Sequence, residues 1–127
     1  MTLYPTPESV PRARRWFRRF IERHDPVCCV DDCLVMLSEL VTNAVAYGES
    51  EDEWRVRVDW WRIGDALCVN VHNPGTPAHV HMRLPSDEDT HGRGLQLVDV
   101  LADDWSVGPS PYGGTVVTFV LHKAWAE

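Results

Sequence analysis

The chain has 127 residues, the length of one ordinary domain and enough to bury a core without disulfides or metal. With 44% apolar and 24% charged residues it is globular rather than disordered, and a net charge of −7 excludes a general nucleic-acid-binding surface, which must be basic. The charge is uneven: residues 1–24 carry six Arg against Glu8 and Glu22, a balance of +4 that leaves −11 for the rest and allows a basic face for phosphate or an acidic protein partner.

The first twenty residues are rich in Pro and Arg and lack the apolar run of a signal peptide. No segment is long enough to cross a bilayer, so the expectation is a cytoplasmic protein without membrane association. Cys28, Cys29, Cys33 and Cys68 form no secreted framework and read as reduced thiols in the core or at a helix start. A metal site drawn from Cys28, Cys29, Cys33 and His24 is the minor alternative.

After a lead-in over residues 1–6, a helix is expected over 7–24. Ala13, Trp16, Phe17, Phe20 and Ile21 recur at three- and four-residue spacing with Arg between them. Thr6 is the expected N-cap, with Pro7 at the first helical position, and Asp25-Pro26 ends the helix. The Arg cluster reads as a solvated face before it reads as a binding surface. A second helix starts between Val30 and Asp32, where two acids suit the positive helix end, and runs to about Tyr47. Its apolar stripe is Leu34, Leu37, Val41 and Ala44, widened by Leu40 and Val45, and Gly48 is a natural stop.

An acidic loop over 49–53 leads to two strands. Val56, Val58 and Trp60 alternate with Arg55, Arg57 and Asp59, and Leu67, Val69 and Val71 alternate with Cys68, Asn70 and His72. Ile63-Gly64-Asp65 between them signals a hairpin. Residues 74–91 read as a long, functional loop. Gly92 and Gly94 open a third helix whose Leu95, Val98 and Leu101 face one way. A strand near Trp105 to Val107, a Gly113-Gly114 turn and a last strand over 115–121 complete the order α, α, β, β, α, β, β. That order predicts a single domain over 1–127 of the α+β class: a two-layer sandwich with helices on one face of a mostly antiparallel sheet.

Three polar islands interrupt this pattern. Glu39 and Asn43, spaced i and i+4, share one face of the second helix. The carboxylate can act as a general base, and the carboxamide oxygen is a hard ligand suited to Mg²⁺. Residues 72–77, His-Asn-Pro-Gly-Thr-Pro, end a strand. They form either a simple turn or a site where Gly75 lets the backbone approach a ligand and Asn73 reads a base edge. Residues 91–98 open a helix with glycines after a long loop, an arrangement that suits phosphate through exposed N–H groups and the positive helix end. No Gly-Lys-Ser/Thr follows, so this is not a Walker loop.

Taken in order, Glu39…Asn43, Asn73-Pro74-Gly75-Thr76-Pro77, the lid at 78–91, Gly92-Arg93-Gly94-Leu95 and Gly113-Gly114-Thr115 resemble the GHKL (histidine kinase-like) ATPase superfamily. The match is nearest to the small single-domain anti-sigma-factor serine kinases of bacteria and covers nearly the whole chain. The resemblance implies the Bergerat-type ATP-binding fold with ATP and Mg²⁺ as ligands. Asn43 would hold Mg²⁺ at the nucleotide phosphates, and Glu39 would be the catalytic base toward an incoming hydroxyl. Gly92, Gly94 and Leu95 would offer backbone N–H groups to the phosphates, with Arg93 adding charge. Asn73 and Gly75 would line the adenine site, with Thr115 beside it. The family's strand-end Asp is Asn73 here, an acceptor without charge assistance, and the second Gly of that motif is Pro77, which stiffens the start of the lid.

The resemblance also implies partners: a sigma factor, an anti-anti-sigma protein of the STAS type that is phosphorylated on serine, and a second copy in a homodimer. Phosphoryl transfer is mostly positioning and charge neutralisation, so few side chains are needed for such a kinase. A non-catalytic nucleotide-binding module, motivated by Asn73 and Pro77, is the alternative. A plain interaction domain that keeps only the scaffold is the third reading.

Overall fold

In a computed structural model, residues 1–48, 55–73 and 93–126 are described. The elements are β1 (Thr2–Leu3), α1 (Ser9–Glu22), α2 (Val30–Gly48), β2 (Val56–Ile63), β3 (Ala66–Asn73), α3 (Arg93–Leu101), β4 (Asp104–Pro109) and β5 (Thr115–Leu121). The five strands form one sheet in the order β1-β2-β3-β5-β4, and each neighbouring pair is antiparallel. The three described helices pack on one face of it, which is the expected α+β sandwich.

The register explains the layering. Val58 pairs with Val71 and Trp60 with Val69, while Val71 pairs with Val117 and Val69 with Phe119. Side chains alternate along a strand, so these residues share the face turned to the helices. Leu34, Leu37, Val41 and Ala44 of α2 are buried against that face, as their helical spacing requires. Phe17 of α1 meets Trp60 with ring centroids 5.1 Å apart. The β2–β3 hairpin closes through Gly64 and Asp65, with Gly64 at φ 61°, a conformation that glycine adopts without steric cost.

Several local expectations are corrected. Residues 1–6 are not merely a lead-in, because Thr2 and Leu3 pair with Arg57 and Val56 and add an edge strand. Thr6 does not cap α1. The N–H groups of Ser9 and Val10 bond back to the carbonyls of Thr6 and Pro7, a tight turn that delays the helix to Ser9. The N-cap is then Glu8, whose side chain makes no capping bond. Trp16 belongs to no buried stripe: it is 47% exposed with Arg19 over its ring, while Ala13, Phe17 and Ile21 carry the core face.

The C-terminal turn is part of the core. Trp125 is 1% exposed, its indole N–H donates to the Ile21 carbonyl at 2.8 Å, and its ring meets Phe20 edge-on. Ala124 anchors the same turn. Its N–H bonds the Asp65 carbonyl, and its carbonyl accepts from the N–H groups of Val27 and Cys28 in the α1–α2 connection.

Candidate functional site

The helix-side stripe of the two central strands changes character at one end. Along β3 it reads Leu67, Val69, Val71 and then Asn73; along β5, Phe119, Val117 and then Thr115. Asn73 and Thr115 are register partners, only 3% and 0% exposed. A buried polar side chain is costly unless it is hydrogen-bonded or put to use. Two of them side by side, where the strands elsewhere carry Leu, Val and Phe, mark the stripe's end as a polar site rather than more core.

Two helices of the layer carry the other expected site residues. α2 packs on β3 and on α3. Glu39 and Asn43 lie on α2, both half-buried, one turn apart. The Ser38 beside them faces α1, where its hydroxyl bonds the Leu34 carbonyl and accepts from the Arg14 guanidinium at 2.6 Å. The helix is thus fixed in rotation by its apolar stripe and by Arg14. α3 begins at Arg93, so Arg93, Gly94 and Leu95 occupy the first turn. The N–H groups of a first turn have no carbonyl partner within their own helix, a feature that suits anions. The Leu95 side chain is buried in the core and pins that end in place. Gly75, Pro77, the lid at 78–91 with its histidines, the loop at 49–53 and Gly92 lie outside the described residues.

The donor set suits Mg²⁺. The carboxamide oxygen of half-buried Asn43 is a hard ligand, and Mg²⁺ characteristically takes only one or two protein oxygens and completes its shell with phosphate and water. Among the described residues no group of three or more His, Cys, Asp or Glu is placed to hold a metal ion, so the cysteine–histidine metal alternative finds no support there. A cavity of about 350 Å³ lies between the start of α1 and the last turns of α2, lined among the described residues by Pro7, Val10, Thr42, Val45 and Ala46. None of the described expected site residues is among that lining.

The opposite face of the sheet carries a cluster that strand alternation does not reveal. By alternation His72 belongs to the open face, yet it is 3% exposed because the β4–β5 turn folds over it. Tyr112 meets it edge-on at 5.1 Å. Ser110 Oγ accepts the Tyr112 N–H and forms a second hydrogen bond with His72 Nδ1 at 2.7 Å. Asp59 stands 3.4 Å from His72 Nε2 and 3.5 Å from Arg57 Nε, and the Arg57 guanidinium lies over the Tyr112 ring. Neither buried nitrogen makes a hydrogen bond at those separations. Burial lowers the His72 pKa below its ordinary value, and the Asp59 carboxylate opposes that shift only in part. This cluster clamps the end of β3 from behind, one residue before Asn73.

The sheet with one helical layer on one face is the α+β sandwich of an ATP-binding family. The family model of the histidine kinase-like ATPase domain matches residues 3–121, and the chain belongs to that family. No curated protein matches the chain closely enough to stand as a relative. No described helix is long and apolar enough to cross a membrane.

Proposed function

We propose that the protein is an ATP-binding anti-sigma factor that sequesters a sigma factor and has Mg-ATP-dependent serine/threonine kinase activity toward an anti-anti-sigma partner. The observation that carries the nucleotide part is the pair of buried polar strand ends, Asn73 and Thr115, within a histidine kinase-like ATPase domain. In this reading the Asn73 carboxamide oxygen accepts from the adenine amino group, and Thr115 borders the base. The first turn of α3 offers N–H groups to the phosphates. Asn43 holds Mg²⁺, which when bound neutralises charge on the phosphate oxygens. Glu39, one turn from Asn43, takes the proton from the attacking serine hydroxyl. Cytoplasmic residence and a homodimer belong to the same proposal.

The test incubates purified protein with labelled ATP, Mg²⁺ and candidate partner proteins, and measures ATP binding by calorimetry in parallel. Wild type should bind Mg-ATP and label a partner serine. Glu39→Gln should retain binding and lose labelling, and Asn43→Ala should lose the Mg²⁺-dependent part of binding. Binding with no labelled partner would favour the second reading, a non-catalytic nucleotide-dependent module, for which the uncharged Asn73 at the strand end is the motivating feature. Absence of any nucleotide binding would remove both.

A further inference from the structure

The α1–α2 connection holds a thiol pair that the nucleotide site does not use. Cys33 lies in the first turn of α2 and is fully buried, whereas Cys28 precedes the helix and is half-exposed. Their sulfurs are 3.8 Å apart. A disulfide needs about 2.05 Å between sulfurs, so the pair must close by about 1.8 Å. Cys29 lies between them in sequence and is exposed. The backbone on the Cys28 side is held: Cys28 N–H and Val27 N–H both bond the Ala124 carbonyl, and Pro26 bridges to Trp125.

We propose that Cys28 and Cys33 form an oxidation site, in which Cys28 reacts with a hydroperoxide and Cys33 resolves the product to an intramolecular disulfide. The assignment of roles follows from access and from charge. Cys28 is the thiol that solvent reaches, while Cys33 is enclosed by the core. The hydrogen bond between the two sulfurs brings the Cys28 pKa down to about 7 against the opposing effects of burial and Asp32. The same bond, together with burial, raises the pKa of Cys33 and keeps it protonated. The thiolate is the nucleophile, so Cys28 attacks first.

With hydrogen peroxide the Cys28 thiolate attacks one peroxide oxygen. An S–O bond forms, the O–O bond breaks, and the departing hydroxide takes a proton to become water. Cys28 is then a sulfenic acid. The Cys33 sulfur attacks the Cys28 sulfur, the S–S bond forms, the S–O bond breaks, and the leaving hydroxide takes the Cys33 proton as a second water. Overall two thiols and one peroxide give one disulfide and two waters. In a reducing compartment such a bond is transient and serves as a sensor rather than a staple.

The experiment treats the full-length protein with hydrogen peroxide, without nucleotide, and reads intact mass and the cross-linked peptide. Wild type should lose the mass of two hydrogens through a Cys28–Cys33 linkage that dithiothreitol reverses. The rate should rise with pH to a plateau, with a midpoint at about 7. Cys29→Ala and Cys68→Ala should leave the linkage unchanged. Cys28→Ala should abolish it. Cys33→Ala should let dimedone trap a sulfenic acid on Cys28. Cross-linking through Cys29 instead, or a Cys28 that reacts no faster than Cys68, would overturn the proposal. Because the Cys29 and Cys28 substitutions lie outside the core, these outcomes do not depend on Cys33→Ala folding.

Discussion

Asn73→Asp tests the strand-end site most directly, because two opposite effects of one substitution have different readouts. The side chain is 3% exposed and sits beside Thr115, at the end of the buried face. A neutral hydrogen bond contributes about 0.5–1.5 kcal/mol, and one to a charged acceptor about 1.5–3 kcal/mol. If the side chain accepts from the adenine amino group, the carboxylate gains roughly 1–1.5 kcal/mol in the complex. That is about a five- to tenfold fall in the ATP Kd, at roughly 1.4 kcal/mol per factor of ten. Without nucleotide, the carboxylate is enclosed at a position where burial disfavours charge. The unliganded protein should lose on the order of 1–3 kcal/mol of stability. The assay is calorimetry with Mg-ATP beside thermal unfolding of the free and liganded protein. Tighter binding with a lower unliganded Tm is the expected pair. A variant that folds and binds ATP no more tightly than wild type would refute the adenine contact at Asn73, whatever happens to its Tm.

Truncating Trp125 to Ala removes a fully enclosed indole and its bond to the Ile21 carbonyl. It should cost about 3–5 kcal/mol in urea denaturation, and a loss below about 1 kcal/mol would mean that the C-terminal turn is not core. His72 has a lowered pKa in the folded protein, so between that value and its ordinary value of 6.5 the unfolded chain binds more protons. Stability should therefore be fully present above about pH 6.5 and fall as the pH drops through the folded pKa, and His72→Gln should flatten that slope in denaturation curves taken at successive pH values. Thr115→Val keeps the shape of a fully buried side chain and removes its hydroxyl. It should weaken ATP binding by about 0.5–1.5 kcal/mol while leaving the sheet intact by circular dichroism.

Much of the fold is legible in local pattern. The α2 stripe of Leu34, Leu37, Val41 and Ala44 is buried as its helical spacing requires. The Gly64-Asp65 hairpin and the positive-φ turn at Gly113 and Gly114 stand where glycine's conformational freedom is needed. The spacing of Glu39 and Asn43 fixes their shared helix face before any tertiary contact is known, and Arg93 begins α3 within the glycine-rich stretch. These features depend on residues a few positions apart, and backbone sterics and hydrogen bonding within a turn or strand decide them.

What local pattern leaves open is which residues another part of the chain covers. Alternation sends His72 to the open face, but the Ser110–Tyr112 turn folds over it. Helical spacing admits Trp16 to the core stripe, yet α1 turns Phe17 and Ile21 inward and leaves Trp16 to Arg19. Trp125 stands beyond the last strand and shows no period, yet its one polar atom reaches a carbonyl 104 residues away in sequence. The sequence by itself determined the order of elements after the short β1 strand, the α2 stripe and the i, i+4 spacing of Glu39 and Asn43, since each is set by short-range geometry. Only the tertiary structure decided that Asn73 and Thr115 close the stripe as buried neighbours and that the β4–β5 turn covers His72. Strand register and side-chain cover are products of long-range packing, which no local period encodes.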